Sequence, residues 1–171
     1  MIQYPPLRSQ ESETRCYIRF MNLTERRVNV VWVNFSGLFV SYTTLDRGQF
    51  VDVNTFKTHP WIAFDDKTQD RMHIDKKLVY HPQTFREHLA EKLPGYKYRE
   101  GVESRIMIVI SLPVHSLKYT VLLYLKNHLN DPLKVDQLDL PRLLADSLKD
   151  LIEERKNLQK LPLHRMCPNI P

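Results

Sequence analysis

The hydrophobic pattern changes period once, at Pro113, and that change divides the chain into two kinds of structure. Before it, apolar residues tend to recur at every second position; after it, leucines recur every third or fourth. A period of two lines one face of a strand, and a period near 3.6 lines one face of a helix. One segment cannot satisfy both. The expected fold is mixed β and α, an N-terminal β-sandwich followed by a small three-helix domain. The expected boundaries are a flexible arm at 1–13, the sandwich at 14–112, the helical domain at 113–155 and a C-terminal tail at 156–171 with some helix.

Within the first part, Cys16, Ile18 and Phe20 alternate with Arg15 and Arg19, the mark of a half-buried strand. Residues 28–35, rich in Val, Trp and Phe and stopped by Gly37, are the strongest strand candidate. Residues 38–45 and 50–56 follow, separated by the turn Asp46-Arg47-Gly48, and Val51, Val53 and Thr55 fall on one face of the second. Residues 61–64 and 77–80 read as further short strands. Short strands at regular spacing indicate a sandwich. Residues 84–105 are charged and irregular and receive no assignment. Residues 105–112, RIMIVISL, read as a strand buried on both faces.

After Pro113, Ser116 is placed to cap a helix that begins at Leu117. On its wheel Leu117, Val121, Tyr124 and Leu125 share a side, Leu122 and Leu129 widen the arc, and Tyr119 and Leu123 lie toward the far side. An arc this wide requires cover from more than one direction. Val135, Leu138 and Leu140 suit a short second helix, and Pro141 opens a third carrying Leu143, Leu144, Leu148, Leu151 and Ile152. Three short helices in about 40 residues rarely stand alone. The two following helices can cover one side; the β-domain, a lipid surface or another protein must cover the rest, and of these a separate protein is the leading expectation.

Composition narrows the function. Cys16 and Cys167 form neither a disulfide framework nor a metal-spaced pair, which points to a reducing compartment. The first residues lack a secretory pattern, and no apolar run is long enough to span a membrane. Four glycines leave little for a phosphate-cradling loop. The net charge of +5 is scattered rather than massed, so it reads as ordinary solvated surface. An enzyme would have to use Asp65, Asp66, Asp70, His73 and Asp75, which have no recognised metal spacing and no nucleophile motif. A single-stranded nucleic-acid module would want aromatics interleaved with Lys and Arg, and the aromatics lie instead in apolar β-patterns.

Four stretches, in order, resemble the von Hippel–Lindau protein family. They are Val31-Trp32-Val33-Asn34-Phe35-Ser36-Gly37 with Tyr42-Thr43-Thr44-Leu45; Thr55-Phe56-Lys57-Thr58-His59-Pro60-Trp61; Leu112-Pro113-Val114-His115-Ser116-Leu117-Lys118; and Leu138-Asp139-Leu140-Pro141-Arg142. Together they span roughly residues 15–151. The resemblance implies a non-catalytic substrate receptor of a cullin-RING ubiquitin ligase, resident in cytoplasm and nucleus. Its partners would be elongin C with elongin B, a cullin and a RING subunit, and its substrate the prolyl-hydroxylated hypoxia-inducible factor alpha subunit. No cofactor, metal, nucleic acid or membrane is implied. A structural role is the alternative, since microtubule association is attributed to the family.

The positions matching the family's hydroxyproline pocket are Trp32, Tyr42, Thr55, His59 and Trp61, with Val53, Asn54 and Phe56 beside the peptide. Their chemistry fits: aromatic walls suit the apolar ring, and a hydroxyl and an imidazole suit the added hydroxyl. Elongin C contacts map to Leu117, Lys118, Val121, Leu122 and Leu125, and cullin contacts to Leu138, Asp139, Leu140 and Arg142. The sequence departs from the family at Thr43, where vertebrate members have proline, at Phe56 for a tyrosine, at Asn54 for a histidine and at Val121 for a cysteine. Pro141 and Leu143 are also less typical. No contact transfers to residues 9–13, which do not align securely.

Overall fold

The computed structural model describes residues 7–95, 97, 101–129 and 131–160, with side chains as far as 156. The ends of the expected arm and tail, 1–6 and 161–171, lie outside the described residues.

Seven strands form the first part: β1 Arg15–Asn22, β2 Val28–Val33, β3 Phe39–Leu45, β4 Phe50–Phe56, β5 Trp61–Asp65, β6 Arg71–Ile74 and β7 Ile106–Ser111. They hydrogen-bond in the order β3-β2-β5-β6-β7-β1-β4, and among the described residues β1 with β7 is the one parallel pair. β6 makes the sandwich possible. Its first half pairs with β5 through Ala63↔Met72 and Phe64↔Arg71, and its second half pairs with β7 through His73↔Ser111 and Ile74↔Ile110. A strand that changes partner midway folds one sheet into two leaves.

The core lies between the leaves. Ile18, Phe20, Val53, Ile106, Ile108 and Ile110 come from one, and Val28, Val30, Leu45, Trp61 and Ala63 from the other. Alternation in β1 and β4 predicted these inward faces correctly, since burying every second side chain is the favourable state of a strand with one wet face.

β7 differs from the strand buried on both faces expected there. Met107 is 60% exposed and Val109 half-buried, because nothing among the described residues covers the outer side of that leaf. Residues 77–80 do not form a strand. Asp75 and Lys76 both have positive φ, so the chain reverses directly after β6 and leaves only the bridges Ile74↔Lys77 and Trp61↔Tyr80.

The unassigned region contains α1, Phe85–Lys92, opened by a capping box in which Thr84 accepts from the Glu87 N–H and Glu87 accepts from the Thr84 N–H. Phe85 packs on the sandwich core.

Beyond Pro113 lie α2, Leu117–His128, a 3-10 turn at Pro132–Gln137, and α3, Arg142–Lys160. The Ser116 cap forms as expected, accepting from the Tyr119 N–H. Leu122, Val135, Leu148 and Ile152 make a separate core, with Leu125, Leu129, Leu138 and Leu140 packed against it.

The two parts meet at a buried polar junction. Lys126 on α2 is hydrogen-bonded and ion-paired to Asp70, in the turn before β6, and both side chains are almost fully buried. Asp70 also accepts from Thr68 at 2.7 Å and Asn127 at 3.2 Å, with the Arg26 guanidinium 3.9 Å away. Burial alone would raise the Asp70 pKa; the hydrogen bonds and charge of Lys126, with Thr68 and Asn127, outweigh it and leave the carboxyl lowered. Beside this junction Phe39, Phe64 and Leu78 face Tyr119 and Leu123 across an open cleft.

Candidate functional site

Pairing register brings the five candidate pocket residues into one region. Trp32 on β2 stands directly opposite Trp61 on β5. Trp61 is buried, its indole N–H donates 3.1 Å to the Thr55 hydroxyl on β4, and its ring meets Tyr42 of β3 edge-on at 5.3 Å. His59, in the turn between β4 and β5, lies 5.4 Å from the Trp32 ring. β3 and β4 are the two ends of the sheet order, so the cluster sits where the sandwich presents free edges.

Two groups there are chemically available. Thr55 is buried, and its oxygen accepts from Trp61 while its hydroxyl proton has no partner among the described residues. His59 is 7% exposed, enclosed by Trp32, Phe35 at 5.3 Å and Phe56 at 5.1 Å. Burial pushes its pKa below the ordinary imidazole value of 6.5, against a hydrogen bond with the Gln10 backbone that favours the proton. At neutral pH the ring is therefore uncharged, with one nitrogen that donates and one that accepts.

Two flanking candidates stand elsewhere. Asn54 faces the outer side of β4, where its carbonyl accepts from Arg105 at 3.0 Å, because the period of two sends it opposite Thr55. Val53 is buried in the core and offers only its main chain to a ligand.

Three residues at the site carried no assignment from sequence. Phe35 is 52% exposed and stands edge-on to both Trp32 and His59. Ser9 is buried: it accepts from the Trp32 indole N–H at 2.8 Å and donates to the Val33 carbonyl at 2.5 Å. The Ser12 hydroxyl is 3.1 Å from His59 Nε2. The stretch read as a loose arm is thus held from Ser9 onward, because its polar groups answer otherwise unpaired donors and acceptors at the end of β2 and the His59 turn. Gly-Ser spacing or alternation would not reveal this; a tertiary contact made it.

On α2, Leu117 is 81% exposed, and Val121 and Tyr124 continue the same open face, with Lys118 exposed beside them. Leu122 and Leu125, grouped with Leu117 from sequence, instead turn into the three-helix core, Leu122 being fully covered. The remaining side, Tyr119 and Leu123, faces the cleft toward the sandwich. The wide apolar arc is therefore covered by helices on one side and the sandwich on another, with a third side open. Of the second helical set, Asp139 and Arg142 are exposed, while Leu138 and Leu140 pack inward.

Asp65 and Asp70 of the enzymatic alternative are engaged in ion pairs. Asp70 is in the buried junction, Asp65 binds Arg26 at 2.9 Å, and no group of three His, Cys, Asp or Glu among the described residues is arranged for a metal. Cys16 is buried and its thiol is pushed up to about 11, chiefly by that burial, which makes it a poor nucleophile. The outer face of the β4–β1–β7 leaf does set Arg19 over Phe50 and Arg105 near Tyr17, an interleaving hidden in the linear sequence. Asp52 pairs with both arginines there, which offsets part of their charge and engages both guanidinium groups. No helix among the described residues is long and apolar enough to cross a membrane.

Residues 7–88 match the family model described as the VHL beta domain. The chain is 29% identical over 110 residues to the Protein Vhl of Drosophila melanogaster, a match covering 64% of this chain and 60% of that protein. The matched region thus spans about 60% of the length of that relative. The matched segment holds all five clustered pocket residues and both serines, and a seven-stranded β-domain followed by helices surrounds it; over residues 7–88 the chain is similar to the VHL beta domain.

Proposed function

We propose that this chain is a non-catalytic substrate receptor of a cullin-RING ubiquitin ligase, which captures a hydroxyproline peptide of the hypoxia-inducible factor alpha subunit for proteasomal degradation. One observation carries the pocket: Trp32 stands opposite Trp61, whose indole holds the buried Thr55 hydroxyl, and the buried His59 ring lies against the same Trp32. A pyrrolidine ring is an apolar disc that Trp32, Tyr42 and Trp61 suit. A hydroxyl on that ring both donates and accepts; Thr55 donates to it and His59 accepts from it. Unmodified proline leaves both groups unpaired, at roughly 1–3 kcal/mol each, and so up to about a thousandfold in affinity. β4, with β1 as its only strand partner among the described residues, offers an edge for an extended peptide's main chain. Elongin C, bringing elongin B, docks on the open face of α2, and the cullin meets the segment around Asp139 and Arg142, with the RING subunit beyond. Residence in cytoplasm and nucleus accords with that substrate.

Calorimetry with hydroxylated and unmodified forms of one peptide tests the pocket. The hydroxylated form is expected to bind far more tightly, and His59→Ala to weaken it at least tenfold. Equal affinity for the two forms would overturn the assignment. Trp61→Ala is the poorer test, because Trp61 also contacts Phe20 in the core at 5.4 Å and its loss would unsettle the sandwich.

The same ring sets a pH dependence. Protonation removes the His59 acceptor, and its folded value lies below 6.5. Both affinity and the His59 contribution to stability are therefore full above pH 6.5 and fall as pH drops through the lower folded value. Hydroxyproline affinity that is flat from pH 7.5 down to pH 5 would count against His59 as the acceptor.

A further inference from the structure

The segment over His59 is fastened at several points. The Ser9 N–H donates to the Asn34 carbonyl at 3.0 Å, the Thr58 hydroxyl donates to the Glu11 carbonyl at 2.8 Å, and the Lys57 N–H donates to the Thr14 carbonyl at 3.0 Å. Between these anchors, Ser12 is exposed on its outer side while its hydroxyl reaches inward to His59 Nε2. The Gln10 backbone makes a further hydrogen bond to the same ring. The segment thus presents to His59 the Ser12 hydroxyl at Nε2 and the Gln10 backbone, while Trp32, Phe35 and Phe56 hold the ring by its faces and edges.

We infer that Ser12 is a positioning residue for the hydroxyproline pocket: by accepting from Nε2–H it fixes the His59 tautomer in which Nδ1 carries the lone pair offered to the ligand hydroxyl. The inference rests on the proposed pocket and deepens it. A neutral imidazole has one acceptor, and the hydrogen bond made by one nitrogen decides the role of the other. Without Ser12 the Nε2–H loses that acceptor, and the tautomer with the proton on Nδ1 gains population. Two donors, the ring and the ligand hydroxyl, would then face each other. Ser9 acts in parallel on Trp32, whose indole N–H it holds. The N-terminal segment therefore completes a site whose other walls come from strands, and discrimination depends on it although Ser12 need not touch the ring of the ligand.

Heteronuclear NMR of the imidazole nitrogens in the ligand-free protein reads the tautomer directly, and titration with hydroxylated and unmodified peptide reads the consequence. Wild type is expected to show protonated Nε2. Ser12→Ala should give a mixture of tautomers and weaken the hydroxylated peptide by about threefold to tenfold, the scale of one hydrogen bond, with the unmodified peptide unchanged. Ser12→Thr, which keeps the hydroxyl, should restore both. An unchanged tautomer together with an unchanged affinity ratio in Ser12→Ala overturns the inference. If wild type itself fails to distinguish the two peptides, the proposed function fails instead, and the NMR of the free protein still decides whether Ser12 governs the ring.

Discussion

Lys126→Met is expected to lower the stability of the chain by about 3–5 kcal/mol, the typical cost of leaving a buried charge without its partner. The ammonium is the main counter-charge of Asp70, and both groups are almost inaccessible to water. Methionine fills similar volume, so the loss reports charge rather than packing. Arg26 at 3.9 Å and the hydrogen bonds from Thr68 and Asn127 would soften the effect without replacing the ammonium. Adding Asp70→Leu should recover most of the loss, because removing both charges removes the desolvation cost with the attraction. Urea unfolding of the two variants measures this; a single variant within about 1 kcal/mol of wild type would mean that the junction is far more hydrated than its burial indicates.

Leu117→Glu is expected to abolish co-purification with elongin C while peptide affinity stays unchanged. The side chain is 81% exposed, so the substitution removes no internal contact. It places a charge at the centre of the open apolar face with Val121 and Tyr124, where an opposing protein pocket would have to desolvate it. Leu122→Ala is the instructive contrast. That leucine belongs to the helical core, and its truncation should cost about 2–5 kcal/mol of stability. Retained co-purification with Leu117→Glu would remove α2 from the docking surface.

Much of the fold is legible where one local rule dominates. The inward residues of β1 and β4 follow from alternation, and Ser116 caps its helix as its position suggests. The capping box of Thr84 and Glu87 was equally local and marks a helix start that the charged texture around it concealed. β7 illustrates the limit: a continuous apolar run states that burial is tolerated, whereas the presence or absence of a covering layer is a property of the whole molecule. On α2 the wheel identifies a broad apolar surface, but the direction from which each neighbour approaches separates Leu117 from Leu122.

By itself the sequence determined the division at Pro113, the β and α character on either side, and the residue types able to read a hydroxylated ring. These follow from period and side-chain chemistry, which each residue carries with it. Only the tertiary structure decided that Trp32 meets Trp61, that Lys126 finds Asp70 and that Ser12 reaches His59. Those pairs are separated by tens of residues, and the forces that join them, burial and hydrogen bonding, act through space once the strands have paired.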